Sequence, residues 1–304
     1  MRRLSWLLPA LLLPALLPGA PASAQRQWPA DWPVHQAPPV QQLEAEETSR
    51  IKAPEAGQGV AVDAGHLYAV GNFVIAKYDR ETGKRLARWR GARGGPVIHL
   101  NSCFVEGDEL ACAHSNHPRL PFANSVEWFD RESLQPTRSR SLGVMDEGSL
   151  VWFDHVPEGW IVGLAHYNDE TGLPFKDNSF AAVELYDPEW RRIGGWALPE
   201  ALVGKMAPQA ASGGAIGPDG YLYLMGHDRP EMYVLGKPLS GPYLAHIATI
   251  AIAAEGQAFD FDESEPGTAC AISRPAREIR CFRLPEVQDD PSAYLPFGEP
   301  RMSR

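Results

Sequence analysis

The sequence predicts an all-β protein folded as a five-bladed β-propeller. Residues 57–91 contain four short apolar runs separated by turns rich in Asp and Gly, a pattern typical of antiparallel strands. No window of that segment places apolar residues at helical spacing over three turns. The same plan returns four more times along the chain, and the turn at residues 79–83 is repeated at 130–134. Repetition of a four-stranded unit indicates a propeller.

The strands of five units can be placed from these runs and turns. In the first four units they are predicted at 57–62, 66–70, 74–78 and 85–89; at 98–105, 109–115, 124–129 and 137–142; at 149–154, 160–166, 180–186 and 191–197; and at 213–216, 221–226, 231–235 and 244–252. The fifth unit has only three strands, at 257–262, 268–273 and 278–284. The connector at residues 198–211 is predicted to hold one helical turn.

The missing strand of the fifth unit predicts how the ring closes. A propeller removes an exposed sheet edge when one end of the chain supplies the last strand. Residues 49–52 lie just before the first unit, and we expect them to fill that place as an N-terminal closing strand. A six-bladed ring, in which the linker and the tail form a partial blade, is the alternative.

The domain organisation follows from the two ends of the chain. Two arginines, an apolar run at residues 4–17 and Ala22-Ser23-Ala24 are the parts of a secretory signal peptide, predicted over residues 1–24. The apolar run is too short to span a bilayer, so we expect a periplasmic or secreted protein with no membrane span after cleavage. The remaining predicted segments are a Pro/Gln-rich linker or strap at 25–43, the propeller at 44–285 and a C-terminal tail at 286–304.

The charge of the chain indicates which partners to expect, and its cysteine content indicates the cellular compartment. The net charge changes from −10 to −12 when the two arginines of the signal peptide are removed, and no basic cluster is present. Nucleic acid is therefore not an expected partner, and we expect a monomer. Four cysteines suit an oxidising compartment. The turn positions place Cys103 opposite Cys112 and Cys270 opposite Cys281, which predicts two disulfides between neighbouring strands.

In a propeller the connections between blades share one face with the loops that join second and third strands. We call this the front face and the opposite one the rear face. Convergent polar side chains in a concavity mark ligand sites, and the topology places many polar residues on the front face. The residues predicted to bind a small polar ligand there are Gln58, Asn72, His99, Asn101, His114, Asn116, Asn168, Arg229, Gln257 and Arg274.

Three histidines occupy equivalent positions at the ends of second strands in adjacent blades, namely His114, His166 and His227. One interpretation is structural, with each ring bonding a neighbouring backbone. A second is catalytic, with His166 or His227 exchanging protons and Glu255 or Asp228 orienting the histidine or holding a metal. A third is that His114, His166, His227 and Glu255 bind one divalent metal ion, Zn²⁺ or Ca²⁺.

Over nearly all of its mature length the chain resembles a group of bacterial exported propellers labelled cycloisomerase-like. The resemblance rests on HLNSCFVEGDELACAHSNHP, GLAHYN, SGGAIGPDGYLYLMGHDRPEMYVL and EGQAFDF. Glu147-Gly148 and Glu255-Gly256 also resemble the blade starts of gluconolactonase-like propellers, in which a Glu binds a divalent metal. In this chain Ser149 and Gln257 stand where those propellers have Pro. These resemblances imply an isomerase or a lactone hydrolase.

Two functions from different classes remain open. In the first, an exported enzyme acts on a small polar molecule such as a sugar acid or a lactone. In the second, a non-catalytic binding module or protein-interaction scaffold presents the same face to its partner. The eleven-residue loop at 168–178 looks like a lid over the front face, which favours a small-molecule site.

Cleavage of the signal peptide is expected after Ala24. Protein recovered from the periplasm of an expressing bacterium should therefore begin at Gln25, as measured by intact mass and N-terminal sequencing. The variant Ala24→Leu places a large side chain where small residues are needed and should remain uncleaved. Wild-type protein that retains Met1 would contradict the prediction.

Overall fold

The structure, a computed structural model, describes residues 38–299. The predicted signal peptide (1–24) and residues 25–37 of the predicted linker or strap lie outside the described residues, as do residues 300–304 of the predicted tail. The described residues form five small sheets in a ring. The prediction of an all-β, five-bladed β-propeller is therefore confirmed, and residues 38–299 do not form a sixth blade.

The first three blades are antiparallel sheets of four consecutive strands, and two strands precede them. The preceding strands are β1 (Gln41–Glu44) and β2 (Glu46–Lys52). Blade 1 contains β3 (Gly59–Val62), β4 (His66–Gly71), β5 (Val74–Asp79) and β6 (Arg85–Arg90). Blade 2 contains β7 (Leu100–Glu106), β8 (Glu109–Ser115), β9 (Phe122–Asp130) and β10 (Pro136–Met145). Blade 3 contains β11 (Ser149–Val156), β12 (Gly159–Ala165), β13 (Ala182–Tyr186) and β14 (Arg192–Ala197).

The last two blades follow a short helical connector. A 3₁₀ turn (Asn178–Phe180) lies within blade 3, and helix α1 (Glu200–Met206) precedes blade 4. Blade 4 contains β15 (Gly213–Ile216), β16 (Leu222–Met225), β17 (Glu231–Pro238) and β18 (Ala245–Ala251). Blade 5 contains β19 (Asp260–Phe261), β20 (Thr268–Ser273) and β21 (Glu278–Arg283), and β22 (Tyr294–Leu295) comes last.

The ring is closed by β2, which pairs antiparallel with β21 as the outer strand of blade 5. Ser49 lies opposite Cys281 and Ile51 lies opposite Ile279. The predicted closure by residues 49–52 is confirmed, and the strand is longer than expected. Because the missing strand comes from the N-terminal side, the last blade is joined to the first by the chain itself.

Both flanks of the propeller add strands to blade 4, which the sequence did not predict. Strand β1, at the end of the predicted linker or strap, runs parallel to β18, with Leu43 opposite Ile250. Strand β22, inside the predicted tail, pairs with β17 through Tyr294 and Leu295. Strands of four and two residues carry too short an alternation to be recognised before the neighbouring sheet is known.

The apolar core is divided into five clusters, one between each pair of neighbouring blades. For example, Val60 and Tyr78 of blade 1 pack with Ile272 and Ile279 of blade 5. The other clusters join blades 1 and 2, blades 2 and 3, blades 3 and 4, and blades 4 and 5. Each blade therefore buries both of its faces, which requires the ring to be complete.

Helix α1 and the two disulfides are local features of this ring. The connector holds a helix of seven residues rather than a single turn, and Leu202 and Met206 on one of its faces are buried. Bonds join Cys103 to Cys112 and Cys270 to Cys281, as predicted. Two disulfides favour an oxidising compartment outside the cytoplasm. Neither helix within residues 38–299 is long and apolar enough to cross a membrane.

The centre of the ring is narrow where blades 1, 4 and 5 meet. A Cβ atom on Gly213 would lie 2.6 Å from backbone atoms of Gln257 and Ala258, and one on Gly59 would lie 2.7 Å from the Cβ of Ala258. Only glycine allows backbones to approach so closely. Two axial cavities lie on either side, and they share no lining residue.

A buried carboxylate ties the closing segment to blade 1. Glu55, in the connection from β2 to β3, accepts hydrogen bonds from the Tyr78 hydroxyl, from Arg85 Nη1 (2.8 Å) and from Arg88 Nε (2.9 Å). Burial alone would raise the pKa of Glu55, but the hydrogen bonds from Tyr78 and Arg88 and the charge of Arg85 outweigh burial and lower it. The folded protein therefore holds this carboxylate in its charged form.

The variant Glu55→Gln should lower the free energy of unfolding at pH 7 by about 1–3 kcal/mol, because it weakens a buried, charge-assisted network. A lowered folded pKa stabilises the protein above the ordinary value of 4.5 and stops doing so as the pH falls through the folded value. The difference between variant and wild type should therefore shrink below pH 4.5, as measured by urea denaturation.

The matched control for this experiment is Glu189→Gln. Glu189 pairs with Arg191 at the surface, where the two side chains are 67% and 74% exposed. Exposed pairs contribute little, so the control should stay within about 0.5 kcal/mol of wild type. Equal losses in the two variants would contradict a special role for Glu55.

Candidate functional site

The candidate site is the axial cavity on the front face, which we call the front cavity. Its volume is about 460 Å³, within the range of small-molecule sites. Every blade contributes a connection or a loop end to its wall. The lining residues are Gln58, Asn72, Ile98, His99, Asn101, His117, Pro118, Arg119, Val151, Tyr167, Gln209, Ser212, His227, Gln257 and Arg274.

The rear cavity, on the opposite side of the narrow centre, has a volume of about 530 Å³. Two of its carboxylates join neighbouring blades. Asp260 Oδ2 accepts a hydrogen bond from the Val62 amide (2.9 Å), and Asp154 Oδ2 accepts one from the Ile216 amide (2.7 Å). Burial raises the pKa of Asp260 well above its ordinary value, and the nearby Asp154 and Glu263 raise it further. We interpret these two carboxylates as structural residues that hold neighbouring blades together through hydrogen bonds.

Seven residues that the sequence predicted for the site do line the front cavity. They come from four of the five blades and include only one of the three equivalent histidines. They are Gln58, Asn72, His99, Asn101, His227, Gln257 and Arg274. The predicted residues that do not line it are His114, Asn116, His166, Asn168, Asp228, Arg229 and Glu255.

His114 and His166 hold the connections that lead into their own blades. The Ile98 amide donates to His114 Nε2 (3.1 Å), and His114 Nδ1 contacts Ser125 Oγ at 2.8 Å. His166 is 0% exposed, and its Nε2 donates to the Glu147 carbonyl (2.9 Å). Burial lowers the pKa of both rings. The structural interpretation therefore describes these two histidines, and neither faces the cavity.

The predicted ligand-binding residues Asn116, Asn168 and Arg229 are occupied within the front-face loops. Asn116 donates from Nδ2 to the Pro121 carbonyl and accepts at Oδ1 from the Ala123 amide. Asn168 Oδ1 accepts from the Asn178 amide (2.7 Å), which closes the loop at its two ends. Arg229 donates to the Lys205 carbonyl. No residue of the loop at 168–178 lines the cavity, so its predicted role as a lid is not supported.

The four residues predicted to share a metal ion are not brought together. Within residues 38–299, His, Cys, Asp and Glu side chains form no group of three or more that could hold a metal ion. His114 and His166 bond to the connections described above, and Glu255 does not line the front cavity. Only His227 of the four reaches the cavity wall.

Two aromatic residues of the site were absent from the predicted set. The ring of His117 lies between those of His99 and Tyr167, with centroids 4.8 Å and 5.0 Å away. Burial, with the neighbouring His117 and His114, lowers the pKa of His99 to about 3, so its ring is neutral at pH 7. Burial also lowers the pKa of His117. The propeller topology already places His117 on the front face, although it was not among the predicted ligand-binding residues. Tyr167 lies between the predicted residues His166 and Asn168.

Two further residues, Arg119 and Gln209, also line the cavity and were not predicted. Arg119 lies in the same loop as His117, between β8 and β9. Gln209 lies in the connector into blade 4, where its Nε2 donates to Asp169 Oδ2 at 3.2 Å. Neither position belongs to a strand end that recurs in every blade. The repeat pattern of the sequence therefore gave no reason to predict Arg119 and Gln209.

His227 lies between a carboxylate and a guanidinium. Its Nδ1 is 2.7 Å from Asp228 Oδ1, and its Nε2 is 3.2 Å from Arg274 Nη1. Because arginine can only donate, Nε2 is the acceptor and Nδ1 carries the proton that is shared with Asp228. Asp228 is 71% exposed and supports the ring from outside the cavity. The three residues form one oriented chain that ends at the cavity wall.

Gln257 is the most unusual residue of the wall. It is 2% exposed, and its φ of 72° lies in the left-handed region. Its backbone amide donates to the Gly226 carbonyl (2.8 Å), which anchors it beside the narrow centre of the ring. The side-chain Nε2 is fully buried and has no hydrogen-bond partner within residues 38–299. A buried amide without a partner costs about 1–3 kcal/mol, so the site holds an unused donor.

The fold and the cavity define a small five-bladed β-propeller with a polar axial site. No protein-family model matches the sequence, and no curated protein matches it. Several solved structures are similar to this chain. One, a structure of the mitotic checkpoint complex, has a TM-score of 0.43 and 9% identity, and the match covers 83% of this chain and 100% of that one.

Two further matches have similar values. The Swd1 β-propeller domain of Myceliophteria thermophila has a TM-score of 0.38 and 8% identity, over 74% of this chain and 83% of that one. Hydrazine synthase of Kuenenia stuttgartiensis has a TM-score of 0.43 and 12% identity, and the match covers 80% of this chain and 72% of that one. The assignment of five blades therefore rests on the strand pairing, and these matches assign no ligand or activity.

The buried histidines predict a loss of stability in mild acid. Burial lowers the pKa of His114 to about 4, whereas an exposed histidine titrates near 6.5. As the pH falls from about 6.5 to 4, this histidine becomes protonated in the unfolded chain but stays neutral in the folded chain. The free energy of unfolding should then fall by up to about 1.4 kcal/mol per pH unit for each such histidine.

The variant His114→Gln should be less stable at pH 7.5, because glutamine cannot reproduce both hydrogen bonds of the ring, and should show a flatter slope between about pH 6.5 and 4. Urea denaturation at a series of pH values measures both effects. His155→Gln, at a half-exposed position, is the matched substitution. Identical slopes in wild type and His114→Gln would overturn this account.

Proposed function

We propose that this chain is an exported, periplasmic protein that binds one small polar molecule, such as a sugar acid or a lactone, in the front cavity. The observation that carries the proposal is the side chain of Gln257, a buried amide donor that has no partner and lines the cavity. A ligand that offers an oxygen to this amide would remove the cost of leaving it unpaired. Most of the remaining lining residues are also polar, which suits a hydroxyl-rich ligand.

The side chains around Gln257 offer both donors and acceptors. Gln58 Nε2 donates to Asn72 Oδ1 at 2.6 Å, so these two amides hold each other in place at the start of blade 1. Asn101 Nδ2 donates to the Leu150 carbonyl at 2.9 Å, which fixes its side chain beside the axis. Because these groups are held by the protein before any ligand arrives, binding costs little side-chain ordering.

A second candidate function is proton transfer at His227, in line with the resemblance to cycloisomerase-like and gluconolactonase-like propellers. The observation that favours it is the contact of 2.7 Å between His227 Nδ1 and Asp228 Oδ1. A carboxylate in that position supports a histidine as general base. His166 and Glu255, the other predicted catalytic residues, do not line the cavity. In an isomerase or lactone hydrolase that used this cavity, His227 would accept a proton at Nε2 in place of its hydrogen bond from Arg274 Nη1, and Asp228 would hold Nδ1.

The variant Gln257→Leu tests the proposal that the front cavity binds a small molecule. Leucine keeps much of the shape of glutamine but has no polar atom to leave unpaired, so the variant should be at least as stable as wild type. Its affinity for a bound sugar acid or lactone should fall about tenfold, which corresponds to about 1.4 kcal/mol. Isothermal titration with gluconate and glucono-δ-lactone measures affinity, and thermal melting measures stability.

The matched control is Gln135→Leu, at an exposed position on blade 2 away from the cavity. It should bind both probes as wild type does. Loss of stability in Gln257→Leu without loss of affinity would show a structural role for this amide. Absence of binding by wild type to either probe would contradict the proposed function and favour a protein-interaction scaffold.

A further inference from the structure

The charged side chains at the wall of the front cavity have one sign. Arg119 and Arg274 line it, and no Asp or Glu side chain does. The whole chain carries a formal net charge of −10. A cavity wall whose only formal charges are positive therefore differs from the protein as a whole. Such a local excess concentrates small anions near the opening.

Neither guanidinium is neutralised by the protein. Within residues 38–299 no carboxylate forms an ion pair with Arg119 or Arg274. Elsewhere in the fold arginines beside buried acids are paired, as Arg85 is with Glu55 at 2.8 Å and Arg280 is with Glu278 at 2.7 Å. An unpaired guanidinium at a cavity wall keeps its full charge available to a ligand.

Arg274 is also held in a defined orientation. Its Nη1 donates to His227 Nε2 at 3.2 Å, and His227 is in turn fixed by Asp228. This arrangement uses one of the five N–H groups of the guanidinium and leaves its charge uncompensated. A planar guanidinium held in this way suits the paired oxygens of a carboxylate or a phosphate.

The unused amide of Gln257 has the same preference. Its Nε2 can only donate, and it is buried without a partner at the same cavity. Two independent observations, an uncompensated guanidinium and an unpartnered buried amide, therefore point to a ligand rich in acceptor oxygens. A neutral ligand would satisfy the amide but would leave the arginine without a charge partner.

We propose that the ligand of the front cavity carries an oxyanion group, a carboxylate or a phosphate, and that Arg274 is its charge partner. The inference rests on the proposed function, since it names the chemical class of the molecule bound there. Gln257 supplies a neutral donor to the same ligand. His227 is a positioning residue, because it acts by holding the guanidinium.

The experiment compares matched pairs of probes that differ in charge. Gluconate is titrated against gluconamide, and glucose 6-phosphate against glucose, with isothermal titration of the mature protein. In wild type the anion of at least one pair should bind at least about tenfold more tightly than its neutral partner. Raising the salt from about 50 to 500 mM should reduce that preference, because salt screens the charge of the arginine. The pair of probes with the larger preference shows whether the oxyanion group of the ligand is a carboxylate or a phosphate.

Variants at Arg274 assign the preference to this residue. Arg274→Gln should lose most of the anion preference, taken as the ratio of the two affinities within a pair of probes, and Arg274→Lys should retain part of that preference. Arg93→Gln, at an exposed position in the connection between blades 1 and 2, makes the same change in net charge and should behave as wild type. Thermal melting confirms that each variant is folded.

Each outcome separates the inference from the proposed function. If gluconamide and glucose bind as tightly as their anionic partners, the proposed function stands and the oxyanion inference is overturned. If the preference survives in Arg274→Gln, the role assigned to Arg274 is overturned. If no probe of either pair binds to wild type, the proposed function fails, and the inference fails with it.

Discussion

The pairing of β2 with β21 is the interaction on which the rest of this structure depends. The apolar core consists of five clusters between neighbouring blades, and the cluster between blades 1 and 5 forms only when the ring is complete. Strand β2 supplies the outer strand of blade 5, and the segment that follows it is anchored to blade 1 through Glu55. The front cavity takes residues from every blade, so it too exists only in the closed ring.

The three equivalent histidines show that a small difference in strand length determines whether such a residue has a structural role or lines the cavity. His114 lies inside β8, and His166 follows directly after β12, so both rings pack beneath the connections that enter their blades. Strand β16 ends at Met225, two residues before His227. That extra distance beyond the sheet lets His227 reach the cavity wall and contact Arg274. One repeat position therefore serves two different purposes.

The front cavity combines a positive wall with an acidic protein. Asp228 and Asp169 contact His227 and Gln209 without lining the cavity themselves, so they orient these side chains without occupying the space of a ligand. The rear cavity is lined by several carboxylates, and two of them, Asp154 and Asp260, accept hydrogen bonds from the backbone of neighbouring blades. The two ends of the axis thus differ in role, with hydrogen bonds between blades at the rear and an unpaired donor at the front.

The sequence by itself determined the strands, the turns, both disulfides and the closing strand, because these depend on alternation and on hairpin register within short segments. It also placed seven lining residues on the correct face, since propeller topology assigns loops to faces before any packing is known. The tertiary structure alone decided which of the repeated histidines reach the cavity, that β1 and β22 extend blade 4, and that Gln257 is buried without a partner. Those features depend on distances between blades, which residues far apart in the chain set together.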